Sequence, residues 1–206
     1  MTNENKNNKI ITAILALVII IALITFLYIN LPEEKNNNDN TGGTNNETVE
    51  EPETILTITF GEIQMDYTLE QIASLESYTS TATMIKTGWL PTVKLEGPNQ
   101  YIGVKISTLL NQIDNLPENY SINVTDINNE ITDYNMSQIQ GNVDIYNESG
   151  IIIGNSGATM ILAYKIDGEY FTEEDTGPLR IVFCHENNTA SNLWLKMVRY
   201  IEIIEN

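Results

Sequence analysis

The feature that most constrains this chain is an uncharged apolar run from Ile10 to Ile29. As a helix rising about 1.5 Å per residue, this run is long enough to cross the roughly 30 Å hydrocarbon core of a bilayer. It lacks the polar face of an amphipathic core helix, and it ends in bulky residues rather than in the small-x-small site where secretory signals are cleaved. We therefore expect a transmembrane helix at residues 10–29.

The charges beside this run predict its orientation. Lys6 and Lys9 precede it, whereas Glu33 and Glu34 follow it. Basic residues are enriched on the cytoplasmic side of membrane helices. We expect residues 1–9 to be a short cytoplasmic N-terminus and the rest of the chain to lie outside, as a single-pass cell-membrane protein.

Composition narrows the classes of function. The chain has a formal net charge of −18, so it lacks the basic stripe that nucleic-acid binding requires. Cys184 is the only cysteine, so no intramolecular disulfide can form and the external domain must be held by its core. The oxygen-rich segment Asp126–Glu130 lacks the spacing of an EF-hand loop, and we interpret it as a turn. We predict no metal site.

The chain divides into a linker and one folded domain. Residues 30–52 are rich in Asn, Glu, Asp, Thr and Gly and too polar to offset the entropy of ordering, which predicts a disordered tether. Residues 53–206 then form the extracytoplasmic domain.

Local patterns predict a mixed α+β domain with more strand than helix. Thr68 with Gln71 has the spacing of a helix capping box, and Ser107 is a second candidate cap, for a helix ending near Ile113. Trp194–Met197 is expected to be a short helix. The expected strands and hairpins are Ile55–Phe60, Thr81–Leu95, the turn-linked pair Asn123–Thr125 and Glu130–Tyr134, Ala158–Lys165, Leu179–Cys184, and an alternating closing strand Val198–Ile204.

Six groups of residues occur in one order along this domain. They are Tyr67-Thr68-Leu69-Glu70 with Leu75, then Gly97-Pro98 leading to Tyr101-x-Gly103-Val104 and Leu109-Leu110, then the Asn123–Tyr134 hairpin, then Ala163-Tyr164-x-x-Asp167-Gly168, then Gly177-Pro178-Leu179-Arg180, and finally Trp194. In this order they resemble the molybdopterin-binding domain of the sulfite oxidase superfamily. The resemblance implies that strand-rich α+β fold and an oxidoreductase ancestry.

The resemblance also places a molybdenum-ligating cysteine between Thr81 and Tyr101, where this chain has none. Met84 lies in that stretch, but a thioether is a weak donor compared with a thiolate. The family's cofactor-gripping arginine matches Arg180. The histidine found five residues before it in the vertebrate enzymes is Asp175 here, which puts a carboxylate where a pterin phosphate would need a cation.

Arg180 and Cys184 each have two interpretations. Arg180 is either a cofactor-binding or ligand-binding residue, or a strand arginine that pairs with Asp175 or Glu173. Cys184 with His185 suggests a nucleophile and base, but neighbours on a strand face opposite ways, so we expect a structural core cysteine and no catalytic residue. Trp194 is expected to be a core anchor, and Trp89 lies in a loop flanked by Gly88 and Pro91.

Three functions follow from these patterns. The first is a membrane-anchored binding or scaffolding module without molybdenum, which would take an unknown small molecule or surface protein at a pocket bordered by residues 84–89 and Arg180. The second is an active molybdopterin-dependent oxidoreductase with unconventional ligation. The third is a purely structural surface protein, which would show an exposed apolar patch and no pocket.

Overall fold

The structure, a computed structural model, describes residues 52–86, 93–172 and 177–206. The predicted transmembrane helix at 10–29, most of the linker and Trp89 lie outside the described residues, as do Glu173 and Asp175. Among the described residues, no helix is long and apolar enough to cross a membrane.

Short strands dominate the described chain. The strands are β1 (Leu56–Phe60), β2 (Ile63–Tyr67), β3 (Ser77–Lys86), β4 (Lys94–Lys105), β5 (Tyr120–Asp126), β6 (Ile131–Asn135), β7 (Ile145–Tyr146), β8 (Ile152–Gly154), β9 (Thr159–Ile166), β10 (Glu169–Tyr170), β11 (Arg180–Cys184), β12 (Asn188–Ala190) and β13 (Val198–Glu205). The helices are α1 (Leu69–Ser74), α2 (Ile106–Leu110), α3 (Met136–Ile139) and a 3₁₀ turn at Ser191–Leu193. The domain is therefore mixed α+β and rich in strand, as the sequence predicted.

The strands form two sheets. The first has the order β2-β1-β13-β5-β6, and its β1 pairs in parallel with β13, the closing strand of the chain. The second has the order β10-β9-β4-β3-β12-β7-β8, with β11 paired to β9. Because the first strand, β1, pairs with the last strand, β13, the first sheet joins the two ends of the described domain.

Two groups of buried side chains hold the sheets. The main core includes Leu56, Ile58, Val104, Leu162 and Phe183, all fully buried. A second group, which we call the minor core, consists of Ala82, Met84, Tyr101, Ile161, Ala163, Val182, Cys184 and Trp194. Because alternate residues of a strand face opposite sides, β9 and β11 contribute to both groups.

Two helices begin with a capping box, in which the N-cap residue and the residue three positions later exchange hydrogen bonds between side chain and backbone. At α1, Thr68 Oγ1 accepts from the Gln71 N–H and Gln71 Oε1 accepts from the Thr68 N–H. Asn135 and Gln138 repeat this reciprocal pair at α3. The capping box predicted at Thr68 is confirmed.

Three local predictions are wrong. Ser107 lies inside α2, whose N-cap is Lys105 without a side-chain cap bond, and the helix ends at Leu110. Trp194 is extended rather than helical, because the next residue, Leu195, accepts a backbone hydrogen bond from Ile181 and so is drawn into a bridge with β11.

The third error concerns β13. A bulge between Val198 and Tyr200 shifts the strand's alternation, so that Val198 is buried along with Ile201 and Ile203. The sequence pattern had placed Val198 on the face opposite these two residues. Tyr200 is instead 45% exposed.

Candidate functional site

β11 carries the candidate ligand residue into the minor core. All five residues of β11 are buried, and Arg180 is opposite Ala163 of β9. Val182 and Cys184, two and four residues further on, belong to the minor core, so strand alternation points Arg180 to the same side. The strand thus places a cation among apolar side chains.

The guanidinium of Arg180 contacts two members of the minor core. Its Nη2 donates to Met84 Sδ at 3.9 Å, and its central carbon lies 5.1 Å from the ring centre of Trp194. The residue is only 6% exposed. The sequence predicted a pocket bordered by residues 84–89 and Arg180; the fold places Met84 beside Arg180, and residues 87–89 lie outside the described residues.

The described residues do not supply an acceptor for every hydrogen-bond donor of Arg180. Its Nε is buried and has no hydrogen-bond partner among the described residues; Glu173 and Asp175, the partners that the sequence suggested, lie outside them. No salt bridge to it exists among the described residues. Burial lowers its pKa, while Tyr101 and Glu96 oppose that shift. A buried guanidinium without an anionic partner has a strong electrostatic preference for an acceptor.

Trp194 and Tyr101 form the aromatic wall of this site. Their rings meet edge to face with centres 5.5 Å apart. Trp194 Nε1 donates to Thr189 Oγ1 at 2.9 Å, and that hydroxyl donates to the Phe183 carbonyl at 3.1 Å. Burial raises the pKa of Tyr101. Trp194 is therefore buried, as predicted for a core anchor, and its ring also packs against the Arg180 guanidinium.

Cys184 is a structural thiol. It is 2% exposed in the minor core, and burial raises its pKa to about 12. His185 turns to its own loop, where Nδ1 accepts from the Asn187 N–H at 2.9 Å. The two side chains do not form a nucleophile and base pair, in agreement with the sequence interpretation.

The acidic turn at Asp126 is held by its own hydrogen bonds. Asp126 Oδ1 accepts from the backbone N–H groups of Asn128 and Glu130, at 2.8 and 2.9 Å. Asn129 takes a positive φ of 65°, as asparagine tolerates in turns. In the described part of the chain, no three His, Cys, Asp or Glu residues are grouped to hold a metal.

Molybdopterin can be tested against these side chains. Its metal requires a thiolate, but the Cys184 thiol is protonated at neutral pH and enclosed by apolar groups. Its phosphate requires free cations, and among the described residues around Met84 only Arg180 is without a salt bridge, since Lys86 and Lys94 both bind Glu96, at 2.7 and 3.2 Å. The described residues therefore do not fit this cofactor.

A separate cleft lies beside α2 and α3. It encloses about 410 Å³, and its polar lining includes Lys105, Ser107 and Tyr120. Lys105 ends β4 directly before α2, and the sequence analysis did not single it out. A usable signal was that Lys105 is one of just 10 basic residues in the chain.

Comparison with known proteins shows the fold and nothing finer. No family profile matches the sequence, and no curated protein matches it. Among solved structures, the sulfane dehydrogenase SoxCD from Paracoccus pantotrophus is similar, with a TM-score of 0.52 and 19% sequence identity. The likeness covers 73% of this chain but only 38% of that chain. The described domain thus shares its fold with part of this sulfane dehydrogenase, and it spans well under half the length of that chain.

Proposed function

We propose that this protein is a membrane-anchored extracytoplasmic binding or scaffolding module, built on a sulfite-oxidase-like fold that does not carry out molybdenum catalysis. The observation that carries the proposal is the contact between Met84 and Arg180. At the buried guanidinium that the resemblance assigns to cofactor binding, this chain presents a thioether 3.9 Å away.

The chemistry of the minor core supports binding rather than redox turnover. A thioether cannot replace an anionic thiolate ligand, and the only thiol is buried and protonated. Fold likeness makes molybdopterin a candidate, but the residues disagree with it. A shared fold does not carry a shared reaction.

Arg180 is the residue we assign to ligand contact. No described residue offers its buried Nε an acceptor, and the neighbouring Met84 and Trp194 carry no negative charge. A small anion, or an acidic group of a partner protein, would supply both the acceptor and the charge. Such charge-assisted bonds are among the stronger polar contacts in proteins.

The location of the domain is part of the proposal. Residues 1–9 would be cytoplasmic, residues 10–29 would span the membrane, and residues 30–52 would tether the domain at the outer surface. The apolar run and the placement of Lys6 and Lys9 support this topology. The net charge of −18 would keep the external domain soluble.

The first test is metal and pterin analysis of the full-length chain purified from its native host. We expect neither molybdenum nor pterin at stoichiometric amounts. A resident molybdoenzyme purified from the same cells is the control for cofactor supply. Stoichiometric molybdenum with pterin would overturn the proposal in favour of the active oxidoreductase with unconventional ligation.

The second test is cysteine labelling of intact cells with a membrane-impermeant maleimide. Because Cys184 is buried, the parent chain should give little background. Asn40→Cys should be labelled and Asn7→Cys should not. Labelling of Asn7→Cys alone would reverse the proposed orientation, and labelling of neither would remove the external location.

A further inference from the structure

The cleft beside α2 and α3 has the size of a ligand site. Its volume of about 410 Å³ falls in the range of roughly 300–1,000 Å³ typical of small-molecule sites. Its lining does not include Arg180, Met84 or Trp194. A ligand in this cleft would therefore not contact the residues on which the proposed function depends.

The charge of the cleft differs from that of the chain. The whole sequence has 28 acidic and 10 basic residues, yet none of the described residues lining the cleft is acidic. Lys105 is the cation in the lining. A cleft with this lining attracts anions and repels the cations that an acidic protein otherwise collects.

Lys105 is held in place without being neutralised. Its Nζ lies 5.0 Å from the ring centre of Tyr78, a cation–π contact that orients the ammonium group and keeps its charge. In the described part of the chain, salt bridges join only Lys86 and Lys94 to Glu96. Lys105 is thus able to pair with an incoming carboxylate.

The rest of the lining combines hydroxyl groups with flexible apolar side chains. Ser107 and Tyr120 bring hydroxyls, and burial raises the pKa of Tyr120, so its phenol remains a neutral donor. Met136, Ile139 and Met160 supply the apolar surface. Methionine side chains adapt to irregular shapes, which suits a ligand with an alkyl or aryl body.

The cleft is preformed, because its two sides are fixed to each other. The Ala158 N–H donates to the Gly141 carbonyl at 3.2 Å. A Cβ on Gly141 would overlap the Ala158 carbonyl oxygen, so the backbones after α3 and before β9 are in direct contact. A rigid wall lowers the entropic cost of binding.

We infer that this cleft binds a small organic acid, with the carboxylate at Lys105 and an apolar body against Met136, Ile139 and Met160. One ammonium group with neutral hydroxyls matches a monoanion. A phosphate dianion would need further cations, which the lining lacks.

The test is isothermal titration calorimetry of the full-length chain in detergent, with protein-free micelles subtracted. The probes are hexanoate, hexan-1-ol and hexylammonium, which share one alkyl chain and differ in charge. We expect hexanoate to bind about tenfold more tightly than hexan-1-ol, since one charge-assisted bond separates them. Hexylammonium should not bind.

Single lysine substitutions test whether the preference for hexanoate comes from Lys105. Lys105→Met should weaken hexanoate binding about tenfold and leave hexan-1-ol unchanged, whereas Lys105→Arg should retain the preference. Lys165→Met is the matched control, since Lys165 also lies over a tyrosine ring, Tyr170 at 4.2 Å, and does not line the cleft.

Three results would overturn the inference. The first is equal affinity for hexanoate and hexan-1-ol, and the second is no binding of either. The third is an equal loss of hexanoate binding in Lys105→Met and Lys165→Met, which would indicate non-specific attraction to basic side chains.

Discussion

Arg180 is unusual in a chain this acidic, because the fold buries a cation next to sulfur and an aromatic ring. This guanidinium is 6% exposed and its Nε has no partner among the described residues, so it gives up hydration without a full set of replacement bonds from them. Desolvated charges of this kind are retained where they serve recognition, and they cost stability when unpaired.

Arg180→Met should therefore leave the ligand-free protein about as stable as the parent, with a loss of no more than about 1 kcal/mol. Methionine keeps the apolar stem of arginine and removes the uncompensated charge. Arg180→Ala should instead lose about 2 kcal/mol or more, because it also removes packing against Trp194.

Urea unfolding of the full-length chain, followed by tryptophan fluorescence, measures both variants. Arg199→Met, a change at an exposed arginine of β13, is the control. If Arg180→Met lost as much stability as Arg180→Ala, the guanidinium would have a structural acceptor, and its assignment to a ligand would be wrong.

Cys184 should be unreactive in the folded protein. Its thiol has a pKa of about 12 against an ordinary value of 9.0, because burial disfavours the thiolate. A soluble disulfide reagent at neutral pH should modify no thiol in the native chain and one after denaturation. Rapid modification of the native chain would contradict the buried location.

The raised pKa of Cys184 also predicts how the stability of the protein changes at alkaline pH. Because the folded pKa is raised, the contribution of the thiol is complete below about pH 9 and is lost as pH rises towards about 12. The free energy of unfolding should fall more steeply over this window in the parent than in Cys184→Ala. Equal slopes for the two proteins would remove Cys184 as the cause.

At the scale of elements, close backbone contacts decide where side chains are allowed. Gly141 and Gly61 both have positive φ, 83° and 58°. A Cβ on Gly61 meets nothing within 4 Å, whereas one on Gly141 overlaps the Ala158 carbonyl. Comparing alanine substitutions at Gly61 and Gly141 therefore separates the cost of backbone strain from the cost of steric overlap.

Gly61→Ala should cost about 1–2 kcal/mol, the strain of a left-handed residue with a side chain. Gly141→Ala should cost clearly more, because α3 must also move away from the start of β9. Chemical denaturation of both variants measures the difference. Similar losses would mean that the cleft wall yields easily and is not preformed.

A bulge and a bridge explain why the predictions for β13 and for Trp194 went wrong. The bulge at Val198–Tyr200 and the bridge from Ile181 to Leu195 both depend on partners distant in sequence. The capping boxes at Thr68 and Asn135, by contrast, use atoms three residues apart. Local chemistry is readable from a window of sequence, and pairing across the sheet is not.

At the scale of the whole molecule, acidity is the dominant property. The chain has 18 more acidic than basic residues, and the described residues contain salt bridges only at Glu96. Self-repulsion is therefore largely uncompensated. Raising ionic strength shortens the screening length from about 30 Å at 0.01 M to about 8 Å at 0.15 M.

We expect the melting temperature of the full-length chain to rise by several degrees when sodium chloride is added over that range. Sucrose at equal osmolality is the control for solute effects that do not involve charge. A melting temperature that is constant or falls with salt would show that ion pairs contribute more than repulsion.

The sequence by itself predicted an anchor and a tether, and it determined the strand-rich α+β class, the capping box at Thr68, and the absence of a cysteine where the family resemblance expects a molybdenum ligand. Each depends on composition or on residues a few positions apart. The six ordered groups predicted a strand-rich α+β fold, and the described domain shares its fold with part of the sulfane dehydrogenase SoxCD.

Only the tertiary structure decided which side chains share a site. It brought Met84 to Arg180 across 96 positions of sequence, left the Arg180 Nε without an acceptor among the described residues, and assembled the cleft around Lys105 without a described acidic residue in its lining. These facts depend on strand order, register and bulges, which arise from long-range packing. A single sequence specifies such packing only through the free energy of the complete fold.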